Sequence, residues 1–174
     1  FISMMDPHEH LLIALVMVLC YIMLAKRELP SIELLAIAFV GSQLPDLIDK
    51  PLAIQLDVIP TGRVFMHSLP VAIPVWMILL VYTWRTERPH AGVAFVIAYA
   101  SHLVGDNYRL LVAQQVPNNL LWPFRPHSPL PDIPYWAGPH NINVHLVTLF
   151  SIAILTTTIF YLILDINDHM LNNG

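Results

Sequence analysis

Two short segments of the sequence place acidic and histidine side chains at helical spacing. Asp46 and Asp49 follow Pro45 and stand three residues apart, so one helical turn would carry both carboxylates on the same face. His102 and Asp106 stand four residues apart at the end of an apolar segment, which places an imidazole and a carboxylate one turn apart. Zinc accepts such mixed nitrogen and oxygen ligands, and so do manganese and iron. The spacing therefore indicates a site for a divalent metal.

Three further residues could belong to the same site. His10 stands just before the first apolar segment, and His67 stands at the start of the third. Arg63, four residues before His67, could bind an anion, bidentately if the anion is a phosphate. Ionised aspartates that share one site in a membrane repel one another, and a divalent metal cancels that repulsion. In the alternative interpretation, the acidic groups only cap helix ends in headgroup water and Arg63 extends to the interface.

The elements that must position these residues are five apolar segments. They cover approximately residues 11–25, 32–44, 69–83, 91–104 and 146–164. Hydrophobic residues make up 56% of the 174-residue chain and charged residues only 11%, where about 25% is usual in a soluble domain. We therefore predict a single all-α domain over residues 1–174, an integral membrane bundle of about five short transmembrane helices. Four spans with one interfacial or re-entrant segment are the alternative.

Five antiparallel spans would bring all of these acidic and histidine residues to one face of the membrane. The N-terminus, residues 45–68 and residues 105–145 fall on that face, and two short basic loops fall on the other. Because cytoplasmic loops are enriched in Lys and Arg, the short loops are predicted to be cytoplasmic. The chain is thus expected in the cell or inner membrane, with its metal site on the extracytoplasmic face.

The stretch of about residues 107–144 is predicted to be an interfacial loop. It is rich in proline, which excludes a regular helix, and its tryptophan and tyrosine residues favour the headgroup level of a bilayer. The loop could be a lid over the clustered residues or a rigid structural segment without substrate contact. Three further histidines on this face are interpreted as ordinary loop or interface residues: His127, His140 and His145. His8 stands two residues before His10, and because positions two apart on a helix point in different directions, both need not join one site.

Several classes of function lack support in the sequence. The eight Lys and Arg residues are scattered and form no basic patch, so nucleic-acid binding is not expected. Cys20 is the only cysteine, which excludes a disulfide within the chain. There is no glycine-rich phosphate loop and no serine-hydrolase elbow motif. Nothing in the sequence predicts the oligomeric state.

The order of these motifs resembles the YdjM-type membrane-bound metal-dependent hydrolases. The similarity rests on His-Leu-Leu-Ile at 10–13, Leu-Pro-Asp-Leu-Ile-Asp at 44–49, Arg-Val-Phe-Met-His-Ser at 63–68, Ser-His-Leu-Val-Gly-Asp at 101–106 and Leu-Trp-Pro-Phe at 121–124. The resemblance implies a metal site made of His10, Asp46, Asp49, His67, His102 and Asp106. The sequence departs from the family pattern at Gly62, where histidine is usual, and at Met66, where threonine is usual. Zinc-dependent phospholipase C and P1-type nucleases are more distantly similar.

Two functional hypotheses follow. The first is a hydrolase with one or two divalent ions, most plausibly zinc and alternatively manganese, that acts on a phosphoester or other ester of a membrane lipid or lipid-linked substrate. Asp49 would be its general base and Arg63 its anion-binding residue. The second is a non-catalytic metal-binding scaffold or transport subunit. A closed metal shell would favour a structural role, because catalytic zinc keeps an open coordination position.

Overall fold

The structure, a computed structural model, describes residues 7–127 together with Thr156 and Ile159, and all regular secondary structure in these residues is helical. Four α-helices follow one another in sequence: α1 over Pro7–Lys26, α2 over Ile32–Ile54, α3 over Leu69–Arg85 and α4 over Pro89–Val112. A 3-10 helix over Asn118–Leu121 follows α4. The described residues contain no strand, so the predicted all-α class is confirmed.

Two of the helices are longer than predicted. Helix α2 continues through Pro45 and Pro51 to Ile54, past the predicted end at residue 44. A proline donates no hydrogen bond to the carbonyl four residues earlier, so it often ends a helix, but packed membrane helices tolerate it where neighbouring groups compensate. Both prolines lie within α2, where Pro45 is buried and Pro51 is half-buried. The carboxylate pair of Asp46 and Asp49 therefore lies inside a continuous helix rather than at a helix end.

Helix α4 likewise continues past the predicted end at residue 104, so the predicted loop at 107–144 is wrong for residues 107–112. The polar residues in this stretch misled the sequence analysis because they face the bundle. Asp106 and Asn107 are buried, and the Asn107 amide donates to the Leu103 carbonyl at 2.8 Å. The part of the predicted loop beyond residue 127 lies outside the described residues. So does the predicted fifth segment, except for Thr156 and Ile159, which are helical.

Small residues allow α1, α2 and α4 to approach closely. The core between these three helices consists mainly of alanine and branched aliphatic residues: Ala14, Val18, Ile22, Ala38, Ala94 and Ala98. At Gly41 on α2, a Cβ atom would lie 2.9 Å from the Phe95 carbonyl oxygen of α4, closer than real side chains come. Small residues at helix interfaces are typical of membrane bundles, where close backbone packing stabilises association. This packing aligns the three helices that carry most of the predicted site residues.

A second core lies between α3, α4 and the connection that joins α2 to α3. Its buried members are Met66, Ala72, Phe95, Tyr99, Leu103 and Leu120. Met66 belongs to the α2–α3 connection and Leu120 to the 3-10 helix, so both of these segments are held against α4. The connection that carries Arg63 and His67 is thereby folded back over the bundle interior.

Among the described helices, α1 alone is long and apolar enough to cross a membrane by length and composition. Its spanning candidate covers His8–Lys26 with a mean hydropathy of 2.0. Helix α3, Leu69–Arg85, is also apolar, but its 17 residues are fewer than the roughly 20 that comfortably span a bilayer. The predicted count of five transmembrane helices is therefore not confirmed by the helices themselves.

Candidate metal centre

Two buried imidazole nitrogens face each other at the end of the bundle opposite the short loops. The Nε2 atom of His67 lies 3.1 Å from the Nε2 atom of His102, and both residues are at most 1% exposed. Two bare nitrogen lone pairs at this separation would repel, so a proton or a metal ion must lie between them. His102 comes from α4, whereas His67 comes from the α2–α3 connection.

Two carboxylate oxygens lie close to both of these nitrogens. Asp46 Oδ1 lies 3.5 Å from His67 Nε2 and 3.9 Å from His102 Nε2. Asp106 Oδ2 lies 3.4 Å and 3.8 Å from the same two nitrogens. Within the described part of the chain, both oxygens are buried and neither has a hydrogen-bond partner. An unpaired buried carboxylate oxygen is costly, which indicates that a cation lies beside these oxygens.

The spacing of His67 Nε2, His102 Nε2 and Asp46 Oδ1 fits a small divalent ion. Zinc binds histidine nitrogen and carboxylate oxygen at about 2.0–2.2 Å, so two ligands of a tetrahedral ion are separated by roughly 3.3–3.6 Å. The separations between these atoms, 3.1–3.9 Å, lie around this value. The residues could therefore hold a metal ion with little rearrangement, and carboxylate with imidazole is a set that zinc and manganese both accept.

The outer oxygen of each carboxylate is neutralised by a basic residue. Lys50 Nζ donates to Asp46 Oδ2 at 2.7 Å, and Arg63 Nη2 lies 3.0 Å from Asp106 Oδ1. Each carboxylate thus directs one oxygen to a basic side chain, Lys50 or Arg63, and the other oxygen to the two imidazoles. The sequence analysis did not identify Lys50, although its position four residues after Asp46 was a visible signal. A Cβ atom at Gly62 would lie 3.2 Å from Lys50 Cγ, so a side chain there would press on this lysine.

Asp49 binds the opposite side of the His67 ring. Its Oδ2 atom lies 2.8 Å from His67 Nδ1, and its Oδ1 atom accepts a hydrogen bond from the Met66 N–H at 2.8 Å. The His67 N–H also donates to Oδ2, at 3.3 Å. Asp49 is fully buried. A carboxylate in this place fixes the ring orientation of a metal-binding histidine and directs its other nitrogen outward.

His10 adjoins the group from α1 and defines a second possible ligand set. Its ring stacks on that of His102 with a centroid distance of 4.0 Å, and its Nε2 atom lies 3.1 Å from Asp106 Oδ1. His10, His102 and Asp106 form one group that could hold an ion, and Asp46, His67 and His102 form the other. Because Arg63 already lies against Asp106 Oδ1, a second cation there would meet a positive charge. The geometry favours the group around His67.

The charge state of His67 follows from its surroundings. Burial lowers the pKa of His67, but the carboxylates of Asp106, Asp46 and Asp49 outweigh it and raise the pKa to about 10. Without a metal, His67 is therefore protonated at neutral pH and its Nε2–H can donate to His102 Nε2. A metal ion bound between these nitrogens would replace that proton.

The structure brings together every residue that the sequence analysis assigned to the site. These residues are His10, Asp46, Asp49, Arg63, His67, His102 and Asp106, and all are buried. Asp49 touches His67 but belongs to neither possible ligand set, so its predicted role as a ligand is not tested by these contacts. His8 is exposed and His127 is half-buried, and neither belongs to those sets. His140 and His145 lie outside the described residues.

Two buried polar residues beside the cluster escaped the sequence analysis. Glu9 is 2% exposed and directly precedes His10. Tyr99, one helical turn before His102, is fully buried and its hydroxyl donates to the Met66 carbonyl at 2.6 Å. The apolar composition around Tyr99 gave no signal of this contact, because its partner lies in a connection far away in sequence.

Comparison with known proteins identifies the family. The family model of the YdjM inner membrane protein matches residues 5–166, nearly the whole chain. The chain therefore belongs to this family of inner membrane proteins, as its motifs predicted, whereas no similarity to P1-type nucleases is found. Neither the curated proteins nor the solved structures contain a significant match.

Proposed function

Because the chain belongs to an inner membrane protein family and buries a histidine–carboxylate cluster, we propose that it is a membrane-embedded metal-dependent hydrolase. One divalent ion, most plausibly zinc and alternatively manganese, would be held by His67 Nε2, His102 Nε2 and Asp46 Oδ1, with Asp106 Oδ2 as a fourth ligand. One observation carries the proposal. Two imidazole nitrogens 3.1 Å apart are flanked by two buried carboxylate oxygens without hydrogen-bond partners in the described chain.

The residues around the ion would share the remaining tasks. A bound divalent ion supplies a Lewis acid that polarises an ester or phosphoryl oxygen and activates water. Arg63 would bind the anionic group of the substrate with guanidinium donors that its contact with Asp106 leaves available. Lys50, which pairs with Asp46 and is partly exposed, would add a second positive charge at the edge of the site.

Asp49 is better placed to orient His67 than to act as the general base. Both of its oxygens already accept hydrogen bonds from Met66 and His67. A general base must reach the proton that it removes, and a carboxylate committed to three donors is poorly available for that. We therefore assign Asp49 an orienting role in this proposal.

The substrate would be a phosphoester or other ester of a lipid or lipid-linked molecule. Membership in a membrane family and the two basic residues beside the metal ligands support an anionic substrate that is reached from the bilayer. The basic residues of the short connections support an extracytoplasmic position for the site, since cytoplasmic loops carry the excess of Lys and Arg.

The test is metal-dependent hydrolysis by the detergent-purified protein. The protein is stripped with a chelator, reloaded with zinc or manganese, and assayed on phospholipids and on carboxylic esters. We expect turnover only after reloading, and its loss in Asp106→Ala. Glu33→Gln, which removes an exposed carboxylate at the other end of α2, should keep wild-type turnover. Equal turnover in Asp106→Ala and in the wild type would exclude this metal site as the catalytic centre.

A non-catalytic metal scaffold is the second candidate, because Asp106 Oδ2 lies 3.4 Å from His67 Nε2 and 3.8 Å from His102 Nε2. If a shift of Asp106 brought this oxygen onto the same ion as Asp46, the tetrahedral shell would be closed, as in structural zinc sites. Cobalt substitution separates the two cases. Phosphate should change the visible spectrum of the cobalt protein if a coordination position is open, and should leave it unchanged if the shell is closed.

A further inference from the structure

We propose that Tyr99 is a positioning residue for the metal centre: its hydroxyl fixes the backbone of Met66 and thereby aims His67 Nε2 at His102 Nε2. This inference rests on the proposed metal site and deepens it, because it explains how a ligand outside the helices is held in place. His67 lies in the connection between α2 and α3, and a ligand on a connecting segment needs support from neighbouring elements.

The Tyr99 side chain is itself rigidly held. It is fully buried on α4, with Trp76 edge-on at a centroid distance of 5.6 Å and Phe95 tilted at 5.9 Å. A buried tyrosine hydroxyl needs a partner, and here the partner is the Met66 carbonyl, at 2.6 Å. The ring is therefore fixed by packing. Because its hydroxyl donates to the Met66 carbonyl, the backbone of the connection is held at a fixed distance from α4.

Met66 is bound from both sides. Its N–H donates to Asp49 of α2 at 2.8 Å, while its carbonyl accepts from Tyr99 of α4 at 2.6 Å. One residue of the connection is thus attached to the two helices that carry the carboxylate ligands Asp46 and Asp106. His67 is the next residue, so its Cα position is set relative to both helices.

Tyr99 and Asp49 would control different properties of His67. Asp49 holds Nδ1 and so determines the direction of the ring. Tyr99 stands three residues before His102 on the same helix, so its hydrogen bond determines how closely the connection approaches His102. Without the hydroxyl, the Met66 carbonyl loses this donor, and the separation of 3.1 Å between the two Nε2 atoms is no longer enforced from α4.

The test compares Tyr99→Phe, which removes only the hydroxyl, with Tyr82→Phe, the same change at an exposed tyrosine of α3. Each detergent-purified protein is titrated with Co²⁺, and both the affinity and the visible absorption spectrum are recorded. Supporting contacts around metal ligands typically change affinity by about 10–100-fold, and for this single hydroxyl we expect about tenfold weaker binding. We also expect an altered spectrum, since the ligand geometry changes, whereas Tyr82→Phe should match the wild type in both measurements.

Wild-type Co²⁺ affinity together with a wild-type spectrum in a folded Tyr99→Phe protein would overturn the inference and leave the metal centre intact. Failure of the wild-type protein itself to bind Co²⁺ would instead overturn the proposed function. Circular dichroism and gel filtration report whether Tyr99→Phe folds. If it does not, 4-fluorophenylalanine at position 99, which keeps the ring and occupies the position of the hydroxyl but donates no hydrogen bond, provides the second variant. Weaker Co²⁺ binding with a shifted spectrum supports the inference, and wild-type values for both contradict it.

Discussion

The two ends of the helix bundle treat their polar side chains differently. At the short-loop end, where α1 meets α2 and α3 meets α4, Tyr21 OH and His90 Nδ1 form a pair at 2.9 Å. Arg88 and Glu33 form an ion pair at 3.0 Å whose side chains are 69% and 60% exposed. At the other end, Asp46 and Asp106 are buried and direct unpaired oxygens at two imidazoles.

The difference identifies the end at which a cation could be held. Exposed ion pairs contribute about 0–1 kcal/mol to stability and are satisfied by water when they break. Buried carboxylate oxygens cannot turn to water, so they favour a positive charge beside them, either the proton on His67 or a metal ion. The same residue types therefore indicate a solvated surface at one end and a group that could hold a metal ion at the other.

The largest contrast is expected when the same chemical change is made at both ends. Asp106→Asn removes the charge from a ligand and leaves Arg63 and His10 beside a neutral amide. We expect metal affinity to fall at least about 100-fold, and the free energy of unfolding of the metal-free protein to fall by about 3 kcal/mol. Glu33→Gln should change the free energy of unfolding by less than about 0.5 kcal/mol. Metal titration in detergent measures the affinity, and thermal unfolding measures the stability. Similar effects of Asp106→Asn and Glu33→Gln would contradict the proposed difference between the two ends of the bundle.

A smaller effect is expected from the carboxylate that orients His67. Asp49→Asn keeps the side-chain shape but weakens the hold on His67 Nδ1, so metal affinity should fall about 10–100-fold while the saturated stoichiometry is unchanged. Asp57→Asn, at an exposed position of the α2–α3 connection that also carries His67, is the matched control. A lower stoichiometry at saturation would show that Asp49 is itself a ligand.

The pH dependence of metal binding should reveal the proton on His67. Because the pKa of His67 is raised to about 10, the metal-free protein carries this proton at pH 7, and metal binding must release it. Affinity should therefore rise about tenfold per pH unit between pH 7 and 9, as expected for the release of one proton. Calorimetry in buffers of different ionisation enthalpy counts the protons released. A binding enthalpy that is the same in all buffers would show that no proton leaves.

The smallest effect is expected from the lysine that shares Asp46. Lys50→Met removes a positive charge near the ion and frees Asp46 Oδ2, so metal affinity should increase about 2–5-fold, a modest change because Lys50 is partly exposed. Lys26→Met, at the short-loop end, should leave affinity unchanged. Weaker metal binding in Lys50→Met would indicate that Lys50 stabilises the site through packing rather than opposing the metal by charge.

Local spacing predicted much of the site. The pairs 46/49 and 102/106 follow from helical periodicity alone, and the helices that carry them were recognised as apolar segments. The ends of α2 and α4 were placed too early, because Pro45 and the polar residues after Gly105 resemble helix ends when buried packing is ignored.

Contacts between residues far apart in sequence could not be predicted in this way. The sequence placed Asp46 and Asp49 on one helical face, but it did not show that they contact opposite nitrogens of the His67 ring. That arrangement depends on the path of the connection over α4. The Tyr99–Met66 hydrogen bond depends on the same path. Side-chain periodicity shows which residues share a face of one helix. It does not show the path that a connection takes across the other helices.

The most direct test of the account is the metal content of the purified protein, measured by elemental analysis for the wild type, His102→Ala and His90→Ala. Both variants remove a histidine of α4, one at the cluster and one at the short-loop end, where it pairs with Tyr21. We expect about one equivalent of zinc or manganese per chain in the wild type and in His90→Ala, and background levels in His102→Ala. No bound metal in the wild type after incubation with both ions, or equal content in all three proteins, would contradict the account.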